Sequence, residues 1–148
     1  MSLARRSLLG LVGASLLASG AAFAADAEAL KYRQTVMKGV GAHMGAMGQI
    51  AKGEAEHPMH LVKHARAIEG NLSMVVDAFA MKTSGGETAA LDKIWSDWDE
   101  FKAKAAEAEK AANVLVHTIE NKGDVAAAMK TLGSACGGCH KAFRKQKE

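Results

Sequence analysis

Five consecutive residues near the C-terminus, Cys136-Gly137-Gly138-Cys139-His140, carry the most specific chemistry in this chain of 148 residues. On a helix, cysteines at i and i+3 and a histidine at i+4 fall within roughly 100° of arc, so all three can meet one flat macrocycle. C-x-x-C-H is the attachment signature of c-type haem: Cys136 and Cys139 would add to the two vinyl groups, and His140 would give the iron an imidazole nitrogen. The competing chemistries are a thioredoxin-like redox pair, half of a zinc site and a structural disulfide. A thioredoxin pair belongs beside a βαβ unit, and no strand-like alternation occurs here. Tetrahedral zinc would need two more well-spaced cysteine or histidine ligands, and the chain has no third cysteine.

The elements that must present this pentapeptide are helical. Proline occurs once, at Pro58, and alanine, lysine, glutamate and methionine are abundant, a composition that favours helix throughout. Turn signals divide the chain into segments at approximately 26–52, 58–82, 90–121 and 124–146. Pro58 suits the first turn of the second segment, the stretch from Thr83 to Gly86 separates the second from the third, and Asn121-Lys122-Gly123 precedes Asp124 as N-cap of the fourth.

Each segment carries an apolar stripe at alternating spacings of three and four. The second reads Leu61, Ala65, Ile68, Leu72, Val75 and Phe79; the third runs from Ile94 through Phe101 and Leu115 to Ile119; the fourth reads Val125, Met129, Leu132, Cys136, Cys139 and Phe143. That spacing is the packing seam of a bundle with crossing angles near 20°. Short connections then predict an all-α, up-down-up-down antiparallel four-helix bundle. The first stripe, Leu30, Arg33, Met37, Val40, Met44, Met47 and Ala51, puts a cation where a core side chain belongs. A lone buried guanidinium is costly, so Arg33 needs an anionic partner, and a haem propionate would serve. Gly39, Gly41, Gly45 and Gly48 lie on the same segment; they suit the close approach of either a porphyrin or an adjacent helix.

The N-terminus reads as a secretory signal peptide over residues 1–24. Arg5 and Arg6 precede an apolar run from Leu8 to Leu17, and Ala22-Phe23-Ala24 offers a cleavage site. The run is short for a membrane span, and no cysteine nearby offers a lipid anchor. Cleavage leaves one domain, residues 25–148, with a formal charge of +1 after loss of both arginines. Near-neutral charge gives no reason to invoke nucleic acid or an anionic membrane.

The other histidines carry weaker signals. His57, His60 and His64 cluster at the start of the second segment, and His60 with His64 has the i, i+4 spacing of a surface metal pair. No carboxylate or cysteine completes a recognisable set, so a solvated face is expected there. His43 and His117 read as decoration of helix faces. No serine-histidine-acid set or phosphate-binding glycine loop is present, and an enzyme is not expected.

Taken together, the signal sequence, the bundle and the C-terminal C-x-x-C-H resemble the class II c-type cytochromes, the cytochrome c-556 and cytochrome c′ family. The resemblance spans the mature chain and includes Arg33-Gln34-Thr35-Val36-Met37, similar to the family's R-x-x-x-[L/M] element, Gly85-Gly86, Ile94-Trp95, and Phe143-Arg144-Lys145 after the haem motif. It implies one covalently bound haem c on Cys136 and Cys139, with His140 as proximal iron ligand. It also implies that the residue four after the arginine faces the distal side of the iron. Leucine there, as in many cytochromes c′, implies a five-coordinate iron that binds small gases; methionine, as in c-556 proteins, implies six-coordinate low-spin haem. The position here is Met37, and Met44 and Met47 read as packing. By the same resemblance Arg144 lies near the proximal imidazole, although a solvated cation among Lys141, Lys145 and Lys147 is the competing reading.

The expected function is therefore single-electron transfer in the periplasm, with the alternative of a cytochrome c′-like protein that binds nitric oxide or carbon monoxide. The expected partners are periplasmic redox proteins, oriented by Lys38, Lys141 and Lys145. The family resemblance is compatible with a monomer or a homodimer, with no stable membrane insertion after cleavage.

Overall fold

The computed structural model describes residues 15–146 apart from residue 84, with side chains from residue 26 onward. Arg5, Arg6 and most of the apolar run of the expected signal peptide lie outside the described residues. Six helices follow: α1 (Ser15–Ala51), α2 (Leu61–Ser73) preceded by a 3-10 turn at Pro58–His60, α3 (Val75–Phe79), α4 (Lys93–Ser96), α5 (Trp98–Glu120) and α6 (Val125–Phe143). They form the four arms of a bundle: α1, α2 with α3, α4 with α5, and α6.

Pairwise contacts run in opposite directions along neighbouring arms, which makes the bundle antiparallel. Between α1 and α2–α3, Tyr32 reaches Met74, Gly39 approaches Asn71, and His43 meets His64. Between the second and third arms, Asn113 donates to Glu69 while Trp95 donates to the Phe79 carbonyl. Phe143, at the end of α6, packs on Phe101, near the start of α5. Helix packing therefore closes three seams, α1 with α2, α2 with α5 and α5 with α6.

Local sequence explains the ends. Asp124 caps α6 by accepting from the Ala127 amide at 3.0 Å, as its position predicts. After α1 the chain reverses in a Schellman motif: Gly53 is left-handed (φ 74°), Glu54 N–H donates to Gln49 O at 2.9 Å and Gly53 N–H to Ile50 O at 3.0 Å. At the third turn the left-handed residue is Lys122 (φ 54°), and Gly123 follows it and donates to Thr118 O at 2.8 Å.

Three expected boundaries shift. The second arm breaks at Met74 and stops at Phe79. Near the break, Ser73 donates its hydroxyl to the Gly70 carbonyl and Asn71 its amide to that of Ala67. The third arm begins at Lys93 and is interrupted at Asp97, where φ −119° and ψ 47° leave the helical region. The fourth ends at Phe143, because Arg144 is extended and pairs with Ala90: Leu91 N–H donates to Phe143 O at 2.9 Å, and Lys145 N–H to Ala89 O at 2.8 Å.

The buried residues follow the expected stripes, with Val36, Ala78, Ala111, Val116 and Ala128 added and Ala51 exposed. Phe101 centres an aromatic cluster, with Phe79, Trp98 and Phe143 at ring separations of 5.2, 5.3 and 5.4 Å. Such pairs contribute about 0.5–1.5 kcal/mol each beyond the area they bury.

Gly86 has φ 83°, and a Cβ built there would lie 2.4 Å from Leu30 Cδ2. Gly86→Ala should therefore lower stability by about 1–3 kcal/mol, seen as a fall in the thermal midpoint of the haem-loaded protein. Gly45, inside α1 with open space around its Cβ position, is the contrast. Gly45→Ala should leave the midpoint unchanged or raise it by up to about 1 kcal/mol equivalent.

Candidate functional site

The fourth seam, between α1 and α6, holds a cavity of about 530 Å³. Arg33, Met37, Val40 and Met44 line it from α1, Cys136 and His140 from α6, and Thr88, Ala89, Ala90 and Arg144 from the paired segments that cross its end. Residues 33, 37, 40 and 44 repeat at intervals of four, three and four, so one face of α1 supplies that wall. The bridge between Ala90 and Arg144 ties the loop before α4 to the chain leaving α6, which holds the loop as a wall.

The structure thus brings Arg33, Met37, Cys136, His140 and Arg144 to one cavity. Cys139 is half-buried on the same helix but does not line it. Met47 is fully buried in the core, as expected for packing, whereas Met44 shares the cavity wall with Met37. Of the four α1 glycines, Gly39 permits the approach of α2, since a Cβ there would lie 3.0 Å from Asn71 Oδ1, and Gly41 lines the cavity. Gly45 and Gly48 face open space, so neither explanation of the glycine content applies to them.

Arg33 is the strongest electrostatic feature. Its side chain is 1% exposed; Nη2 donates to Thr83 Oγ1 at 2.8 Å, while Nε and Nη1 are buried with no hydrogen-bond partner. The guanidinium lies 5.4 Å from the Phe79 ring and 5.2 Å from the Trp95 ring. Desolvation lowers its pKa, and the Asp26 carboxylate acts in the opposite direction without satisfying those two groups. Two orphaned donors on a buried cation beside an apolar cavity fit a ligand that brings an anion.

On α6, Cys136 faces the cavity and Cys139 lies one turn further on, and the two are not joined in a disulfide. Burial pushes both pKa values up and holds the sulfurs protonated. Burial, then the positive charge of Arg144, pushes the His140 pKa down and favours the neutral imidazole that a metal requires. Arg144 is therefore placed beside His140 electrostatically as well as on the cavity wall.

The contribution of Phe79, Thr83 and the stretch from Thr88 to Ala90 was not visible in sequence. Gly85-Gly86 signals a turn, but nothing local says that the following backbone pairs with residue 144. Gln34 adds to the same arrangement by donating to the Glu87 carbonyl at 2.9 Å.

These features define an all-α bundle with one open seam, whose cavity brings Cys136 and His140 of the C-x-x-C-H stretch opposite a buried cation. The family model described as Cytochrome C′ matches residues 28–144. A cytochrome c-556 of Agrobacterium fabrum is 39% identical over 133 residues, covering 88% of this chain and 89% of its own. A cytochrome c′ of Pararhodospirillum photometricum is 35% identical over 119 residues, covering 78% and 95%. Among solved structures, cytochrome c prime from Shewanella frigidimarina superposes with a TM-score of 0.75 at 25% identity, covering 82% of this chain and 97% of the other. The chain belongs to the cytochrome c′ family, and its cofactor is one covalently attached haem c.

The orphaned donors of Arg33 give a test with opposite signs. In haem-free protein, Arg33→Met should stabilise by about 1–3 kcal/mol, because a buried group with unmade hydrogen bonds is removed. In haem-loaded protein the same change should destabilise by a similar amount, because an anion arriving with the cofactor loses its partner. Urea unfolding of both forms measures this; an effect of one sign in both would sink the anion-binding reading.

Proposed function

We propose that this protein is a periplasmic carrier of single electrons, and that its haem iron is ligated by His140 on one side and Met37 on the other. The observation that carries this reading is that Met37 and His140 line one cavity from opposite helices, α1 and α6. Bound haem supplies an iron that alternates between the ferric and ferrous states. The protein's own residues hold it. The Cys136 and Cys139 thiols would hold it through two thioether bonds, a permanent tether. Neutral His140 would give the iron a nitrogen, the unpartnered donors of Arg33 would pair with a propionate, and Arg144 biases the imidazole towards its neutral form. The Met37 thioether would be the second protein ligand to the iron, a donor that disfavours exogenous ligands and raises the reduction potential. Because Met37 and His140 both stand on helices, little in the protein would reorganise during each transfer.

Lys38, which lines this cavity, and Lys141 and Lys145, next in sequence to the lining residues His140 and Arg144, are exposed and would orient an acidic redox partner. Among the described residues no helix is long and apolar enough to cross a membrane. Export and cleavage after Ala24 rest on Arg5-Arg6, the apolar run from Leu8 to Leu17 and the Ala22-Phe23-Ala24 site. The second reading, a gas-binding protein, draws on a solved nitric oxide complex of a cytochrome c prime variant from Alcaligenes xylosoxidans, which superposes at a TM-score of 0.73 with 27% identity over 82% of this chain.

Attachment is checked by mass. The exported protein should weigh residues 25–148 plus one haem and keep its haem through acid–solvent extraction, whereas Cys136→Ser with Cys139→Ser should lose all covalent haem. Haem released from the wild type by extraction would overturn the assignment.

Axial ligation decides between carrier and gas binder. The ferric protein should be low-spin with a sulfur-to-iron band in the near infrared. Met37→Leu should convert it towards high spin and raise ferrous affinity for carbon monoxide roughly tenfold or more, about 1.4 kcal/mol per decade. Met44→Leu should leave both unchanged. A high-spin wild type that takes up carbon monoxide readily would establish the gas-binding reading and leave Met37 as a shield over the distal face.

A further inference from the structure

A second cluster of ligating side chains lies on the other side of α1, at its seam with α2. His43 and His64, distant in sequence, place their Nδ1 atoms 2.9 Å apart, and both rings are partly buried. The His60 ring stands edge-on to His64 at a centroid separation of 6.5 Å, and His57 stacks on His60 at 4.9 Å. His43, which its sequence position marks only as decoration of a helix face, is thus the partner that the His60–His64 pair lacks.

We infer that His43 and His64 are the two anchoring ligands of a site for a divalent transition-metal ion of tetragonal preference, copper(II) above all, with His60 as a third imidazole. The separation of the two nitrogens selects the geometry. Metal–nitrogen bonds of 2.0–2.1 Å place two ligands about 3.3 Å apart at a tetrahedral angle but about 2.9 Å apart at a right angle. The observed 2.9 Å matches cis positions of a tetragonal ion without parting the helices. Copper(II) also stands highest in the stability order for such nitrogen sites.

As the pair stands, one Nδ1–H donates to the other Nδ1. Metal entry requires each ring to turn its lone pair from its neighbour to a shared point, and the donor ring to carry its proton on Nε2 instead. No net proton leaves the neutral pair. Burial, then the neighbouring His43 and His60, lowers the His64 pKa and keeps that ring available as a neutral ligand. Among the described residues no three candidate ligands are already gathered around one point. Two imidazoles are therefore preset, His60 must swing inwards, and water completes the shell.

Titration of the mature, haem-loaded ferric protein with Cu²⁺ should show one equivalent bound with a micromolar or tighter dissociation constant, and Zn²⁺ should bind at least about tenfold more weakly. His43→Gln and His64→Gln should each weaken Cu²⁺ binding at least about tenfold, His60→Gln should weaken it less, and His117→Gln, in the last turn of α5 beside Glu120, should leave it unchanged. The haem absorption spectrum and helical circular dichroism of each variant establish that it has folded. Electron spin echo measurements on copper-loaded wild type, which need no variant, should show two or more imidazole nitrogens. Absence of saturable binding below 100 µM, binding unaltered by both anchoring variants, or a signal with fewer than two imidazoles would each overturn the site and leave the contact as a hydrogen bond between helices.

Discussion

A buried guanidinium with two unmade hydrogen bonds governs the architecture around it. Arg33 takes a core position on α1 and is enclosed by Phe79, Trp95 and Thr83. Trp95 is itself fixed by its indole N–H, which donates to the Phe79 carbonyl at 2.8 Å. The loop between the second and third arms is thereby tied to α1 by the cation and to the end of α6 by the Ala90–Arg144 bridge. Removing a charge from water costs several kcal/mol unless it is paired. The aromatic faces and one hydroxyl supply part of that compensation, and the remaining donors define where a ligand's negative charge belongs.

The bundle is correspondingly asymmetric. Three seams are closed by interdigitated side chains, while the seam between α1 and α6 is held apart and walled at one end by backbone. The aromatic cluster around Phe101 stabilises the end of α6 that carries His140, so the closed seams supply the rigidity that the open one lacks. Rigid walls on both sides hold the groups that face the cavity in one geometry.

How much of this was legible depends on the range of each interaction. Cys136, Cys139 and His140 form a local pattern, readable at sight, because five residues of helix fix their mutual placement. Arg33 was conspicuous because a cation interrupts an apolar stripe. Asp124 and the four arms followed from capping and periodicity. The His43–His64 contact was not legible, since it depends on the register of α1 against α2. The cavity wall at residues 88–90 was hidden for a different reason: it is made by backbone pairing with residue 144 and needs no distinctive side chains. Lys122 took the left-handed position although glycine lay next to it, because the hydrogen-bonding pattern of the α5 terminus places that conformation one residue earlier.

The first helix reconciles these elements, because it serves two partners on faces one residue out of phase. Tyr32, Gly39 and His43 meet the second arm, whereas Arg33, Met37, Val40 and Met44 line the cavity. One residue turns a helix by about 100°, so the two faces adjoin without overlapping. Gly39 sets the separation on one side: a Cβ there would crowd Asn71, so any larger residue must displace that side chain or move α1. Movement of α1 away from α2 is roughly perpendicular to the direction of α6, so it slides Arg33 and Met37 sideways across the cavity mouth. The small residue at 39 therefore acts on the cavity at a distance, by fixing how the wall that carries Arg33 and Met37 is aligned with the α6 wall that carries Cys136 and His140.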